Sequence, residues 1–202
     1  MYSQSDVNKT MIILGSLSAF LSFFIVLWLV SNPSDFITNK LGIDHNILNP
    51  LGWILTLLIV VLYITITIHN VPFIKDNVSR FSTLKLIGIW AAIVAGFMEE
   101  FIFRKLIMDF LDYVNISVVI QVIAASLVFG IVHAMWGILA GDLKLTLIIV
   151  ISTSLLGLML SLLYIFIDRN IFFPIIAHIS INLVIEPWLM LSVVSNNASA
   201  KS

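Results

Sequence analysis

Six long apolar stretches constrain the fold of this chain more than any other feature of its sequence. They lie at residues 10–30, 51–68, 84–108, 116–140, 145–167 and 171–194. A helix of about 20 apolar residues crosses the roughly 30 Å of hydrocarbon in a bilayer. Backbone polar groups in lipid need partners within their own segment, and the alternation typical of a β-barrel is absent. The sequence therefore predicts an all-α, polytopic transmembrane helical bundle of about six spans.

The composition agrees with an integral membrane protein. Of the 202 residues, 60% are hydrophobic and 10% are charged, whereas soluble domains are about 45–50% apolar. A net charge of −1 offers no basic surface for nucleic acid, so we expect no nucleic-acid partner. The absence of cysteine excludes disulfides, a thiolate nucleophile and a Cys-bound metal within this chain. We expect a multi-pass protein of the cell membrane.

The third stretch carries three charged residues at membrane depth: Glu99, Glu100 and Arg104. Each charge costs roughly 2.5–3.5 kcal/mol on insertion scales. Glu100 and Arg104 are four residues apart and share a helix face, where an ion pair lowers the cost of burying either one. Glu99 points about 100° away and is left over as a candidate general base. The alternative is a structural ion-pair cluster that joins helices.

Two histidines lie in later apolar stretches. His133 follows Phe129 by four residues and His178 precedes Asn182 by four, so each pair shares a helix face. His178 and Asn182 can aim two donors at one point, as an oxyanion hole requires. Singly, such residues more often form hydrogen bonds between helices. Together with Glu99 they predict a polar active-site cavity inside the bundle, which either activates a water or holds a metal that does so.

Depth along each predicted helix gives a partial check. Glu99 lies about 14 Å from residue 108, and His178 lies about 10 Å from residue 171 on the same side of the membrane. His133 lies about 26 Å from residue 116, which is too deep. We therefore expect residues 109–120 to include an irregular or interfacial piece, with the fourth helix beginning nearer Gln121.

In these residues the sequence resembles the CPBP family of CAAX proteases and bacteriocin-processing enzymes, also called the Abi family. The family pattern is Glu-Glu-x-x-x-Arg, then Phe-x-x-x-His, then His-x-x-x-Asn on successive membrane helices. All three occur here in that order, at residues 99–104, 129–133 and 178–182. Residues 157–164 and 170–182, with Pro174 before the histidine, also look like the last two helices of the family.

The resemblance covers residues 84–194 and suggests a division of the chain. Two N-terminal spans and a polar connection occupy residues 1–83, a catalytic core of four spans occupies 84–194, and a polar tail occupies 195–202. The resemblance implies a CAAX-type intramembrane glutamic endopeptidase in which Glu99 and His133 activate a water. His178 and Asn182 would stabilise the oxyanion. The residues that would support this site are Glu100, Arg104 and Phe129.

The resemblance implies a membrane-associated or lipidated peptide or protein as substrate, and no cofactor. Zinc bound by Glu99, His133 and His178 is the alternative, although Asn182 is a poor zinc ligand. Two other functions stay open. One is a non-catalytic membrane immunity or interaction protein, as in bacteriocin self-immunity. The other is an ion or proton pathway, for which the spans offer few further polar residues besides Ser and Thr.

Overall fold

A computed structural model describes residues 2–43 and 45–195, apart from the side chains at 45 and 46. Within these ranges, five helices are long and apolar enough to cross a membrane: α1 (Gln4–Ser31), α2 (Pro50–Asn70), α3 (Thr83–Tyr113), α4 (Val118–Leu139) and α5 (Leu143–Phe166). The helices α6 (Phe172–Ile185) and α7 (Trp188–Val194) meet at an angle of 55° and together pass the same test as a bent sixth span. No strand occurs in the described ranges. The predicted polytopic helical bundle is confirmed.

Short helical pieces complete the connections. They are Pro33–Asp35, a π-helical turn at Phe36–Lys40, a 3₁₀ turn at His45–Leu48, and Pro72–Asn77. Side-chain caps define several helix starts. Asn49, for example, accepts hydrogen bonds from the N–H groups of Leu51 and Gly52 at the start of α2. The polar tail predicted at 195–202 lies outside the described residues except for Ser195.

The short helix α6 occupies the centre of the bundle, where it packs against α2, α3 and α5. The fully buried side chains on its inner face are Phe173, Ala177 and Ile181. Gly96 of α3 permits a close approach, because a Cβ at that position would lie 2.8 Å from the side chain of Ile179. Ile179 follows His178, and Gly96 precedes Glu99 by three residues. The contact therefore brings the charged part of α3 against the imidazole of α6.

The helices α4 and α5 form the most extensive helix pair of the bundle. Small residues let membrane helices approach closely, and glycines occupy this interface. A Cβ on Gly157 of α5 would lie 3.2 Å from the Cβ of Phe129. A Cβ on Gly130 of α4 would lie 2.6 Å from the carbonyl oxygen of Val150. The close packing places Phe129 between α5 and the charged residues of α3.

Two predicted helix ends are wrong, and their true positions explain the depth of His133. The third helix continues past residue 108 to Tyr113, with Phe101–Met108 wound as a π-helix. The fourth helix begins at Val118 rather than near Gln121, so a four-residue connection replaces the irregular piece expected at 109–120. Measured from these ends, Glu99 lies about 21 Å along α3 and His133 about 23 Å along α4. The two depths agree without any irregular segment.

Candidate active site

The carboxylates of α3 and the histidines of α4 and α6 meet inside the bundle. The Oε2 atom of Glu99 lies 3.6 Å from Nε2 of His133 and 3.7 Å from Nε2 of His178. Asn182, one helical turn after His178, lines the same cavity, whose volume is about 100 Å³. The structure therefore brings these four residues of α3, α4 and α6 to one cavity.

Glu100 lies between two donors. Its Oε2 is 3.0 Å from Nε of Arg104, and its Oε1 is 2.7 Å from Nδ1 of His178. The side chains of Glu100 and Arg104 are both fully buried. Arg104 also donates from Nη2 to the carbonyl oxygen of Gly157 at 3.1 Å. Such additional hydrogen bonds offset the desolvation of a buried ion pair. The Glu100 contact also fixes the ring of His178 so that Nε2 is the atom nearer Glu99.

Phe129 packs against both imidazoles. Its ring centroid lies 4.5 Å from that of His133 and 5.7 Å from that of His178. The guanidinium of Arg104 lies 5.3 Å from the same ring, within range of a cation–π interaction. The carbonyl oxygen of Phe129 accepts a hydrogen bond from Nδ1 of His133 at 2.7 Å. Because a carbonyl only accepts, Nδ1 carries the hydrogen, and the neutral ring presents a lone pair at Nε2 toward Glu99.

The Oε2 atom of Glu99 is buried and has no hydrogen-bond partner among the described residues. Its distances of 3.6 and 3.7 Å to the two Nε2 atoms are too long for direct hydrogen bonds. A buried carboxylate oxygen without a partner is costly. A water beside this oxygen and the two nitrogens would lie within bonding distance of them and remove that cost. The arrangement fits a small polar molecule held by carboxylate and imidazole.

The rest of the cavity wall is mostly apolar. Its apolar side chains include Leu14, Leu17, Leu21, Ala91, Ala95, Leu156, Ile185 and Leu189. Three of these belong to α1, which lies outside the predicted catalytic core of residues 84–194. An apolar wall strengthens the electrostatic interactions inside it and suits an apolar peptide segment.

Zinc was the alternative that the sequence left open for this site. In the part of the chain that the structure describes, no group of three or more His, Cys, Asp or Glu side chains meets the geometry of a metal site. Zinc ligands lie about 2.0–2.2 Å from the ion. The Nδ1 atoms of His133 and His178 both contact oxygen atoms, and metal-bound histidines are held in the same way. The orientation of the two imidazole rings is therefore compatible with a bound water and with a bound metal ion. Treatment with a metal chelator distinguishes these two alternatives.

Two residues near the cavity were not assigned a role from the sequence. Glu186 lines the cavity with Glu99 and Asn182. Lys85 of α3 donates from Nζ to the carbonyl oxygens of Leu183 at 2.5 Å and of Glu186 at 3.0 Å. These bonds satisfy carbonyls at the end of α6, which lack partners within the helix. The spacing of Asn182 and Glu186, which repeats that of His178 and Asn182, was the signal available in the sequence.

A polar network at the other end of α6 was also missed. Arg169, in the turn before α6, donates to Asp109 and Asp112 of α3, each at 2.8 Å. It also donates to Gln121 of α4 at 2.6 Å, and the hydroxyl of Tyr164 donates to Asp109 at 2.8 Å. In the sequence, Asp109 and Asp112 precede Arg169 by about 60 residues, and no spacing pattern links them. Their pairing fixes the start of α6 relative to α3.

A protein-family model described as type II CAAX prenyl endopeptidase Rce1-like matches residues 81–184, just over half of the chain. The chain belongs to this family. At family level it is therefore a CAAX-type membrane protease, and the predicted membership of the CPBP and CAAX proteases is confirmed. The matched segment contains Glu99, His133, His178 and Asn182. No curated protein and no solved structure matches the chain.

Proposed function

We propose that the protein is an intramembrane glutamic endopeptidase of the cell membrane. It hydrolyses a peptide bond in a membrane-associated or lipidated peptide or protein. One observation carries this proposal: the buried Oε2 of Glu99, which has no hydrogen-bond partner among the described residues, lies beside Nε2 of both His133 and His178. Membership of a family of CAAX endopeptidases supports a hydrolytic role for such an oxygen.

Glu99 and His133 hold the nucleophilic water. Glu99 offers a carboxylate oxygen, and His133 offers the lone pair of Nε2 because its Nδ1 donates to the carbonyl of Phe129. A water that donates one hydrogen to each keeps a lone pair free for the carbonyl carbon of the substrate. As the new C–O bond forms, Glu99 accepts the proton of the water, which is general-base catalysis.

His178 and Asn182 stabilise the oxyanion that forms. The Nδ1 atom of His178 donates to Glu100, so a cationic ring has a second hydrogen at Nε2 for the oxyanion. The carboxylates of Glu99 and Glu100 offset the positive charge of that ring. The side-chain amide of Asn182 supplies the second donor. When the C–N bond breaks, the proton held by Glu99 passes to the leaving nitrogen. The products are an amine and a carboxylic acid, which keeps the second hydrogen of the water until it ionises.

The experiment is cleavage of a peptide library by the purified protein in lipid nanodiscs. We expect Glu99→Gln and His133→Ala each to lower kcat by roughly 10²- to 10⁴-fold, the usual contribution of general-base catalysis. The control is Asp76→Asn, which removes an exposed carboxylate outside the cavity and should leave the rate unchanged. Wild-type rates in both Glu99→Gln and His133→Ala would show that the proposal is wrong.

A further inference from the structure

One carboxylate of the cavity takes no part in the proposed reaction. Glu186 lies at the break between α6 and α7, and its backbone N–H donates to the carbonyl oxygen of Asn182 at 2.8 Å. His178, Asn182 and Glu186 follow one another at four-residue intervals, and all three line the cavity. Glu186 thus extends the row of polar groups formed by His178 and Asn182 along the cavity wall.

The carboxylate of Glu186 has no ion-pair partner within residues 2–43 and 45–195. The nearby cation is Lys85, but its ammonium donates to the backbone carbonyls of Leu183, Val184 and Glu186. The other carboxylate of the cavity, Glu99, carries the same charge. Lys85 and His178 attract the carboxylate of Glu186 only from beyond ion-pair distance, and a carboxylate without a directly paired cation in a mostly apolar cavity is costly. A positively charged group of a ligand would remove that cost.

We infer that Glu186 forms a specificity subsite for a lysine or arginine side chain of the peptide substrate, an inference that rests on the proposed function. Four helical residues separate Asn182 from Glu186 and eight separate His178 from Glu186, or about 6 Å and 12 Å. An extended peptide advances about 3.4 Å per residue. A substrate that runs along α6 therefore reaches Glu186 within about four residues of the scissile bond.

The apolar wall favours a basic side chain over a free cation. Lysine and arginine carry long apolar stems, which can lie along Ile185 and Leu189 while the charged head pairs with Glu186.

The test measures peptide binding to the Glu99→Gln protein in nanodiscs, where cleavage is blocked. The probes are apolar, leucine-rich peptides of about 20 residues, the length of a membrane span, carrying one lysine or one norleucine at successive positions. Norleucine keeps the stem and lacks the ammonium group. We expect lysine at one position to bind roughly tenfold to hundredfold more tightly than norleucine, as a charged hydrogen bond does. Adding Glu186→Gln should abolish that preference, and Glu186→Lys should transfer it to glutamate peptides.

Glu186→Gln is nearly isosteric, and its thermal unfolding is compared with that of the parent to verify folding. The inference would be overturned if Glu186→Gln left the ratio of lysine-peptide to norleucine-peptide affinity unchanged. It would also be overturned if the substitution weakened the binding of both peptides equally. The proposed function is judged separately, by cleavage with Glu99 intact. If cleavage depends on Glu99 but Glu186→Gln leaves the preference for lysine over norleucine peptides unchanged, only the subsite is refuted. Lysine binding that depends on Glu186, without any cleavage, refutes only the peptidase.

Discussion

Replacement of Arg104 by methionine perturbs the electrostatics of the site at its most buried point. The side chain of Arg104 is fully buried, pairs with Glu100 at 3.0 Å and donates to the carbonyl oxygen of Gly157 at 3.1 Å. Methionine keeps an unbranched apolar stem and removes the guanidinium. Among the described residues, Glu100 would then retain only its contact with His178, at 2.7 Å.

The expected cost follows from these contacts. Breaking a buried ion pair from one side costs about 3–5 kcal/mol, because the remaining charge stays desolvated. The hydrogen bond to Gly157 contributes about 1 kcal/mol, and the short bond from His178 compensates part of the unpaired charge. We therefore expect Arg104→Met to lower the free energy of unfolding by about 3–4 kcal/mol. For a chain of this size, that corresponds to a fall in Tm of roughly 6–16 °C.

Thermal unfolding in detergent provides the assay, with a double-mutant cycle of Arg104→Met, Glu100→Gln and the double variant. The double variant should lose clearly less than the sum of the single effects, because it contains neither unpaired charge. The matched control is Lys105→Met on the same helix. Lys105 is 29% exposed and lies 3.5 Å from Asp109, so its loss should cost under about 1 kcal/mol. Equal Tm values for Arg104→Met and Lys105→Met, or additive single effects, would refute this reasoning.

Three further predictions concern the reaction, the packing and the metal. Glu100→Gln should lower kcat by roughly 10²-fold with little change in KM, because His178 loses the charge that supports a hydrogen at Nε2; steady-state kinetics in which KM alone changes would contradict this. Gly130→Ala should lower the free energy of unfolding by about 1–3 kcal/mol, because the added Cβ meets Ser154 and the carbonyl of Val150; a Tm equal to that of the parent would contradict this. Dialysis against 1,10-phenanthroline should leave the cleavage rate unchanged, whereas loss of activity that zinc restores would establish the zinc alternative.

The sequence predicted the fold and the composition of the cavity for specific physical reasons. Apolar runs of membrane-spanning length have few alternatives to helices in lipid. On such helices a charged residue needs a partner, and four-residue spacing identified one correctly: the predicted pairing of Glu100 with Arg104 is confirmed at 3.0 Å. The same spacing indicated that His178 and Asn182 face one way, and both line the cavity.

Other features depend on partners that are distant in sequence. The apolar run of the third span ends before Asp109, which suggested a helix end there. The helix instead continues to Tyr113, because Asp109 and Asp112 are paired with Arg169, about 60 residues later. The π-helical winding of Phe101–Met108 left no sign in the residue pattern. Glu186 was visible as a charge but could not be placed without the bend between α6 and α7.

The polar contacts at both ends of α6 also explain how a membrane bundle can position His178 accurately. Lipid chains are as apolar as leucine, so the hydrophobic effect does not fix the register of one membrane helix against another. A slip of one residue along α6 would rotate His178 by about 100° and remove it from Glu100. Arg169 holds the start of α6 against α3, and Lys85 of α3 binds carbonyls at its end. Because both contacts lead to the helix that carries Glu99 and Glu100, the register of the site is set by polar bonds on either side of it.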